Sequence, residues 1–231
     1  MTQVILFILG CCLGSFYCLI AERVPQGKSI LSPASHCPYC RQRLSFYELI
    51  PLLSITTQQF QCKSCFKQLP IIYFISELAG GFLCVFCFAQ GLHPSSLYLF
   101  LFLSMGLLLS LTDCFYLIVE PRIFYSFSIA LLAWQLWCSF SLHLAAGLII
   151  SLFLCGLNKL FPQSIGGGDI LLLGCWSLLL GWESILLLLF SASTSALLYS
   201  MTQQLLFQKR ITQLPFVPFL TIGLFSVFLF K

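Results

Sequence analysis

The sequence predicts an all-α polytopic membrane protein with about eight transmembrane helices and one long polar loop carrying four paired cysteines. Three observations lead there. Of the 231 residues, 59% are hydrophobic and only 8% are charged, against about 25% charged in soluble domains. The apolar residues lie in runs near the ~20 residues that cross hydrocarbon, separated by short polar or Gly/Pro breaks. Six of the eleven basic residues (Arg23, Lys28, Arg41, Arg43, Lys63 and Lys67) fall in one segment.

In chain order the apolar runs predict spans over 3–21, 71–90, 96–113, 122–140, 143–161, 169–182, 184–202 and 213–230. The first has no basic n-region and runs into Glu22-Arg23 without a small-residue cleavage site, so it reads as a retained span. The basic residues orient the chain, because Lys and Arg concentrate in cytoplasmic loops. With the N-terminus outside, ten of the eleven lie inside and only Lys231 does not. Three parts follow: a first helix over 1–22, a cytoplasmic loop over 23–70 and a membrane core over 71–231. Spread charges of this kind give an orientation signal and no nucleic-acid patch. No internal repeat is evident.

The loop carries Cys37-Pro-Tyr-Cys40 and, 22 positions beyond Cys40, Cys62-Lys-Ser-Cys65. Two such pairs match a zinc site with four thiolate ligands, each pair gripping one edge of the metal. A reducing cytoplasm argues against disulfides. Basic neighbours Arg41, Arg43, Lys63 and Lys67 offset the negative charge of such a centre. With every position filled by protein, the zinc is expected to be structural, and His36 to be a neighbour and not a ligand. The other nine cysteines lie in apolar runs and read as small buried hydrophobes. That includes Cys84-x-x-Cys87, despite its redox-type spacing.

Only two aspartates occur, Asp113 and Asp169, both against apolar stretches. A carboxylate at the edge of hydrocarbon is expensive and marks a functional site by default. Both fall at cytoplasmic ends of their predicted spans, where they could share a proton and activate water in one cleft. Asp169 follows Gly166-Gly167-Gly168. These glycines would let a peptide approach closely and permit positive φ, although Asp169 could equally be a helix cap after a flexible loop. Asp113 alone would read as an interfacial anchor or a partner of Arg122. Glu120 is the one competing acid. Serine and cysteine routes lack support, because His93 and His143 fall in external turns and no Gly-x-Ser-x-Gly elbow is present.

Taken together, these motifs resemble the prepilin peptidases, or type 4 prepilin leader peptidases, which are GxGD-type intramembrane aspartic proteases. Gly14-Ser15-Phe16 with Arg23-Val24-Pro25 is similar to the family's first-span signature, and the four cysteines to its zinc knuckle. Tyr47-Glu48-Leu49-Ile50-Pro51 and Pro215-Phe216-Val217-Pro218-Phe219 fit two further segments. Asp113 and Gly166-Gly167-Gly168-Asp169 match the two catalytic motifs. Val119-Glu120-Pro121 stands where Ile-Pro-Asp is usual, and Leu171 where a lysine is common.

The resemblance implies an aspartic endopeptidase of the bacterial inner membrane. It would remove a short basic leader from prepilin- or pseudopilin-like substrates after a glycine, at the cytoplasmic face, in a competence-pilus or secretion system. It also implies N-methylation of the new terminus with S-adenosylmethionine, for which the sequence offers no glycine-rich fingerprint of its own. Two other classes compete: an ion-coupled transporter, which would want carboxylates at mid-membrane, and a membrane-anchored zinc-knuckle adaptor, which leaves Gly166–Asp169 unexplained.

Overall fold

A computed structural model describes residues 1–161, 165–207 and 213–230. Lys209, Arg210 and Lys231, used above to orient the chain, lie outside the described residues. The chain divides into two compact units, Met1–Phe100 and Leu101–Lys231. Among the described residues every regular element is helical.

In the first unit, α1 (Thr2–Arg23) packs along α3 (Ile72–Phe88), with a short helix α2 (Leu53–Thr57) in the segment between them. The α1–α3 seam is built from small residues, as expected where lipid offers no hydrophobic drive and helices gain by close backbone approach. A Cβ on Gly14 would collide with the Ser76 carbonyl, and one on Gly10 with the Gly80 carbonyl. Arg23 ends α1 buried, its guanidinium donating to the carbonyls of Ser29 and Ile30 at 3.1 and 3.3 Å. That pair of bonds turns the chain out of the helix. A second tie joins the helix ends, where the Tyr73 hydroxyl donates to Glu22.

The second unit follows through α4 (Pro94–Tyr116), which begins in the first unit and continues into the second. It then contains α5 (Pro121–Trp137), α6 (Leu144–Leu160), α7 (Gly167–Leu180), α8 (Trp182–Phe207) and α9 (Val217–Phe230). Pro94 and Pro121 each begin a helix, the position where a missing N–H costs nothing. Gly181 ends α7 at φ 83, a left-handed conformation that admits the sharp turn into α8. The core forms around Phe102 and Trp176, both fully buried and edge-to-face at 5.7 Å. Phe228 stacks on the other side of Phe102 at the same distance.

Among the described residues the protein is thus all-α, and eight helices coincide with the eight apolar runs, although eight membrane crossings do not follow from their lengths. Three of them, α1, α4 and α8, are long and apolar enough to cross a membrane by length and composition. α3, α6, α7 and α9 are apolar but shorter. At 14 residues each, α7 and α9 are about 21 Å long, at 1.5 Å per residue.

Candidate active site and metal centre

The four cysteines form two hairpins of the same shape. Cys37 N–H donates to the Gln42 carbonyl and Arg41 N–H to the Cys37 carbonyl, both at 3.0 Å. In the second hairpin Cys62 N–H donates to the Lys67 carbonyl at 3.0 Å and Phe66 N–H to the Cys62 carbonyl at 2.8 Å. Isolated bridges His36–Arg43 and Gln61–Gln68 close them. Arg41 and Phe66, each just after the second cysteine, share a positive φ of 58° and 54°. The loop therefore does contain an internal repeat, displaced by 25 residues, contrary to the sequence expectation. The repeat is one of backbone geometry; besides the cysteines only Leu44 and Leu69, whose amides donate to the Ser35 and Phe60 carbonyls, share a side chain.

The hairpins bring all four sulfur atoms within 4.8 Å of one another. Sγ of Cys37 and Cys65 are 3.9 Å apart, as are those of Cys40 and Cys62. A tetrahedral site with zinc–sulfur bonds of about 2.3 Å needs sulfurs about 3.8 Å apart, so the donor set and spacing fit a four-thiolate metal site. Amide N–H groups of Cys65 and Ser64 bring the Cys62 thiol down to about 7, which favours the ligating thiolate. His36 stays out of the group, its Nδ1 lying 2.9 Å from the Ala34 carbonyl. Lys67 sits over the Tyr39 ring at 5.0 Å, a cation–π contact between the hairpins.

A buried carboxylate fastens this loop to the helices of its unit. Glu77 on α3 accepts the Leu52 amide at 2.7 Å and the Ser15 hydroxyl from α1. Leu52 holds φ 62 there, a costly conformation for a branched side chain. Glu77 gave no signal in the sequence beyond its position at a span end. Glu48 forms a capping box with Ser45, accepting its amide at 2.7 Å and its hydroxyl at 2.9 Å. Those bonds, the amide first, hold its carboxyl below the usual range.

In the second unit, Asp113 lies in the last turn of α4 and Asp169 in the first turn of α7. The two carboxyls are within electrostatic reach of each other. Asp113 is buried, and its Oδ2 accepts the Val217 amide at 2.9 Å; the Phe216 amide also bonds to it. Arg122, the alternative partner, is exposed on α5. Glu120 is buried at the start of α5, where it precedes the helix as its N-cap residue without a side-chain capping bond.

Of the three glycines before Asp169, Gly168 is required sterically, and none is required by a positive φ. Positive φ was the expectation, but Gly166 has φ −63 and the next two belong to α7. A Cβ at Gly166 would lie 3.2 Å from Asp169 Oδ2, and one at Gly168 would lie 2.7 Å from Cβ of Val119. Gly167 meets no atom within 4 Å among the described residues.

Comparison with known proteins bears on both units. The profile described as Bacterial Peptidase A24 N-terminal domain matches residues 8–91, which include the cysteine hairpins and Glu77. The Type IV leader peptidase family profile matches residues 100–201, which include both aspartates. A prepilin leader peptidase/N-methyltransferase of Bacillus subtilis (strain 168) is 34% identical over 236 residues, spanning 98% of this chain and 93% of its own. The chain belongs to the type IV leader peptidase family. A second member, from Burkholderia pseudomallei (strain 1026b) and of the same description, is 28% identical over 212 residues, covering 87% of this chain and 69% of its own. A third, from Myxococcus xanthus (strain DK1622), is 42% identical over 84 residues, 36% of this chain and 25% of its own. No solved structure matches the chain. As a multi-pass membrane protein of this family it carries a peptidase framework, and α9, with Val217, lies beyond both matched segments.

Proposed function

We propose that the protein is an aspartic endopeptidase that removes the short basic leader from prepilin- or pseudopilin-like substrates at the cytoplasmic face of the bacterial inner membrane. The observation that carries this reading is that Asp113, in the last turn of α4, and Asp169, in the first turn of α7, lie in one helical unit within electrostatic reach. The relatives of Bacillus subtilis and Burkholderia pseudomallei, prepilin leader peptidases, support the substrate class.

The chemistry follows from a carboxyl pair sharing one proton. The ionised member takes a proton from water as the water oxygen bonds to the scissile carbonyl carbon. The protonated member donates a hydrogen bond to the carbonyl oxygen. As the carbon–nitrogen bond breaks, the departing amine collects a proton, and the pair returns to a single shared proton. Gly167, open on its outer side, leaves room for an extended peptide beside Asp169.

The cysteine hairpins would hold a structural zinc, because four protein sulfurs leave no position for the attacking water. Basic residues on the same loop favour its cytoplasmic side. The relatives' descriptions also support N-methylation of the new amine, for which S-adenosylmethionine would supply the methyl group. The described residues contain no strand–loop–helix unit of the dinucleotide-binding kind to cradle that donor.

The deciding experiment mixes purified protein with a model prepilin and follows leader release for the parent, Asp113→Asn and Asp169→Asn. Both variants are expected to insert and fold normally yet release no leader. Parental rates in either would remove that residue from the catalytic pair. Adding radiolabelled methyl donor to the same reactions tests methylation.

A further inference from the structure

We propose that Thr221 is a positioning residue of the cleavage reaction, holding the first turn of α9 so that its amide donates to Asp113. This rests on Asp113 being one of the two catalytic carboxyls.

The tie between α9 and Asp113 is a backbone bond, and by itself the sequence does nothing to aim it. Val217 begins α9, so its amide is one of the first-turn donors that the helix leaves without an internal partner. Pro218 follows and has no amide to offer. Asp113, from α4, thus serves as a cap supplied by another helix, and both groups are buried.

What aims this amide lies one turn further along each helix. The Thr221 hydroxyl is 2.7 Å from the Ser110 hydroxyl, which sits one turn before Asp113 on α4. Thr221 Oγ1 also lies 3.0 Å from the Gly106 carbonyl and 3.0 Å from the Val217 carbonyl. Ser110 reaches the same Gly106 carbonyl at 2.7 Å. Thr221 therefore bonds at once to the residue that caps Asp113 and to the helix that carries Asp113. Gly106 provides the seat: a Cβ there would stand 3.0 Å from the Thr221 methyl. On its other flank α9 is held by α8, through Ser226 donating to Ser191 at 3.0 Å. Sliding or rotation of α9 is opposed on both sides, and the Thr221 bridge is the side nearest the carboxylate.

A group that only packs would tolerate an isosteric replacement, whereas one that aims a bond through its hydroxyl would not. The test compares Thr221→Val, which keeps shape and removes the hydroxyl, with Thr221→Ser, which keeps the hydroxyl. Full-length protein in nanodiscs cleaves a model prepilin, and kcat and KM are measured separately. Thr221→Val is expected to lose about 10- to 100-fold in kcat, the scale of a catalytic group displaced by about an ångström, with KM little changed. Thr221→Ser is expected to recover most of that loss. If Thr221→Val does not fold, Ser110→Ala breaks the same bridge from α4 and is judged by the same criteria. Parental kcat in the hydroxyl-less variant, a loss expressed in KM, or failure of serine to rescue would each overturn the proposal. Asp113→Asn and Asp169→Asn run alongside. If they cleave normally, the protease reading fails; if they are dead while Thr221→Val is normal, only the role of Thr221 fails.

Discussion

Gly168 sits against Val119 so tightly that a single added Cβ would come within 2.7 Å of the valine's own. This contact joins the start of α7 to the turn that precedes α5, and Asp169 follows directly. Gly168→Ala must push one of these segments away, so leader release is expected to drop at least tenfold, on the scale of a misplaced catalytic group. Gly167→Ala meets nothing and should stay within about twofold of the parent, as for substitutions away from packed features. Pairing Gly168→Ala with Val119→Ala should restore part of the loss. Equal rates for the two single glycine variants would contradict this steric account.

Metal content provides a second check. Purified protein should contain one equivalent of zinc, and Cys37→Ser should lose most of it, with protease nicking between the hairpins increasing in step. Undiminished zinc in the variant would exclude Cys37 as a ligand. Protons compete with metal for thiolates. In the cluster of thiols Cys62 is brought down to about 7 by the Cys65 and Ser64 amides, while Cys40, despite the Gln42 amide, is pushed up to about 11 beside the other three sulfurs, so below pH 7 both thiols hold their protons against the metal. Chelator should accordingly strip zinc much faster at pH 5.5 than at pH 8, as read by a metal-sensitive dye.

Glu77 gives a third prediction. Glu77→Ala strands the buried Leu52 amide and releases Ser15, an unsatisfied-group cost of about 1–3 kcal/mol. Glu77→Gln keeps an acceptor oxygen and should cost less. Limited proteolysis over residues 50–60 reports the difference, with the alanine variant cut fastest. Equal cutting of all three proteins would mean the anchor is unimportant.

The α1–α3 seam supplies a fourth. Gly14→Leu puts a side chain into the Ser76 backbone and should lower the thermal midpoint of the detergent-solubilised protein and its yield in membranes. Gly156→Ala, on α6, meets no atom within 4 Å and should be neutral or stabilising, by up to about 1 kcal/mol from helix propensity. A midpoint for Gly14→Leu equal to the parent's would show that the helices do not meet as closely as described.

Continuous apolar runs located these helices to within a few residues, because each run is nearly as long as the helix it forms. The cysteine spacing likewise announced the four-sulfur cluster, since two short hairpins of the same spacing leave a mark in the sequence. Other features leave no such mark. The short helix Leu53–Thr57 follows a tertiary bond from Glu77 to Leu52, which local preference does not encode. The repeat of the hairpins resides in backbone bonds, with only the cysteines and the pair Leu44 and Leu69 alike in side chain. The amide that caps Asp113 belongs to Val217, and a backbone donor has no letter of its own. The glycines before Asp169 were visible, but their reason lay in Val119, a neighbour that only the fold brings near.

Helices α7 and α9, with 14 residues each, measure about 21 Å against hydrocarbon about 30 Å thick. A bilayer crossed by these helices would have to compress, or headgroups and water would have to sink toward their ends, at a fraction of a kcal/mol for every ångström of mismatch. Both aspartates border those ends, so the short helices offer a route by which hydrolytic water reaches a depth that the bilayer would otherwise keep dry. Turnover should consequently rise in short-chain phosphatidylcholines and decline as acyl chains lengthen.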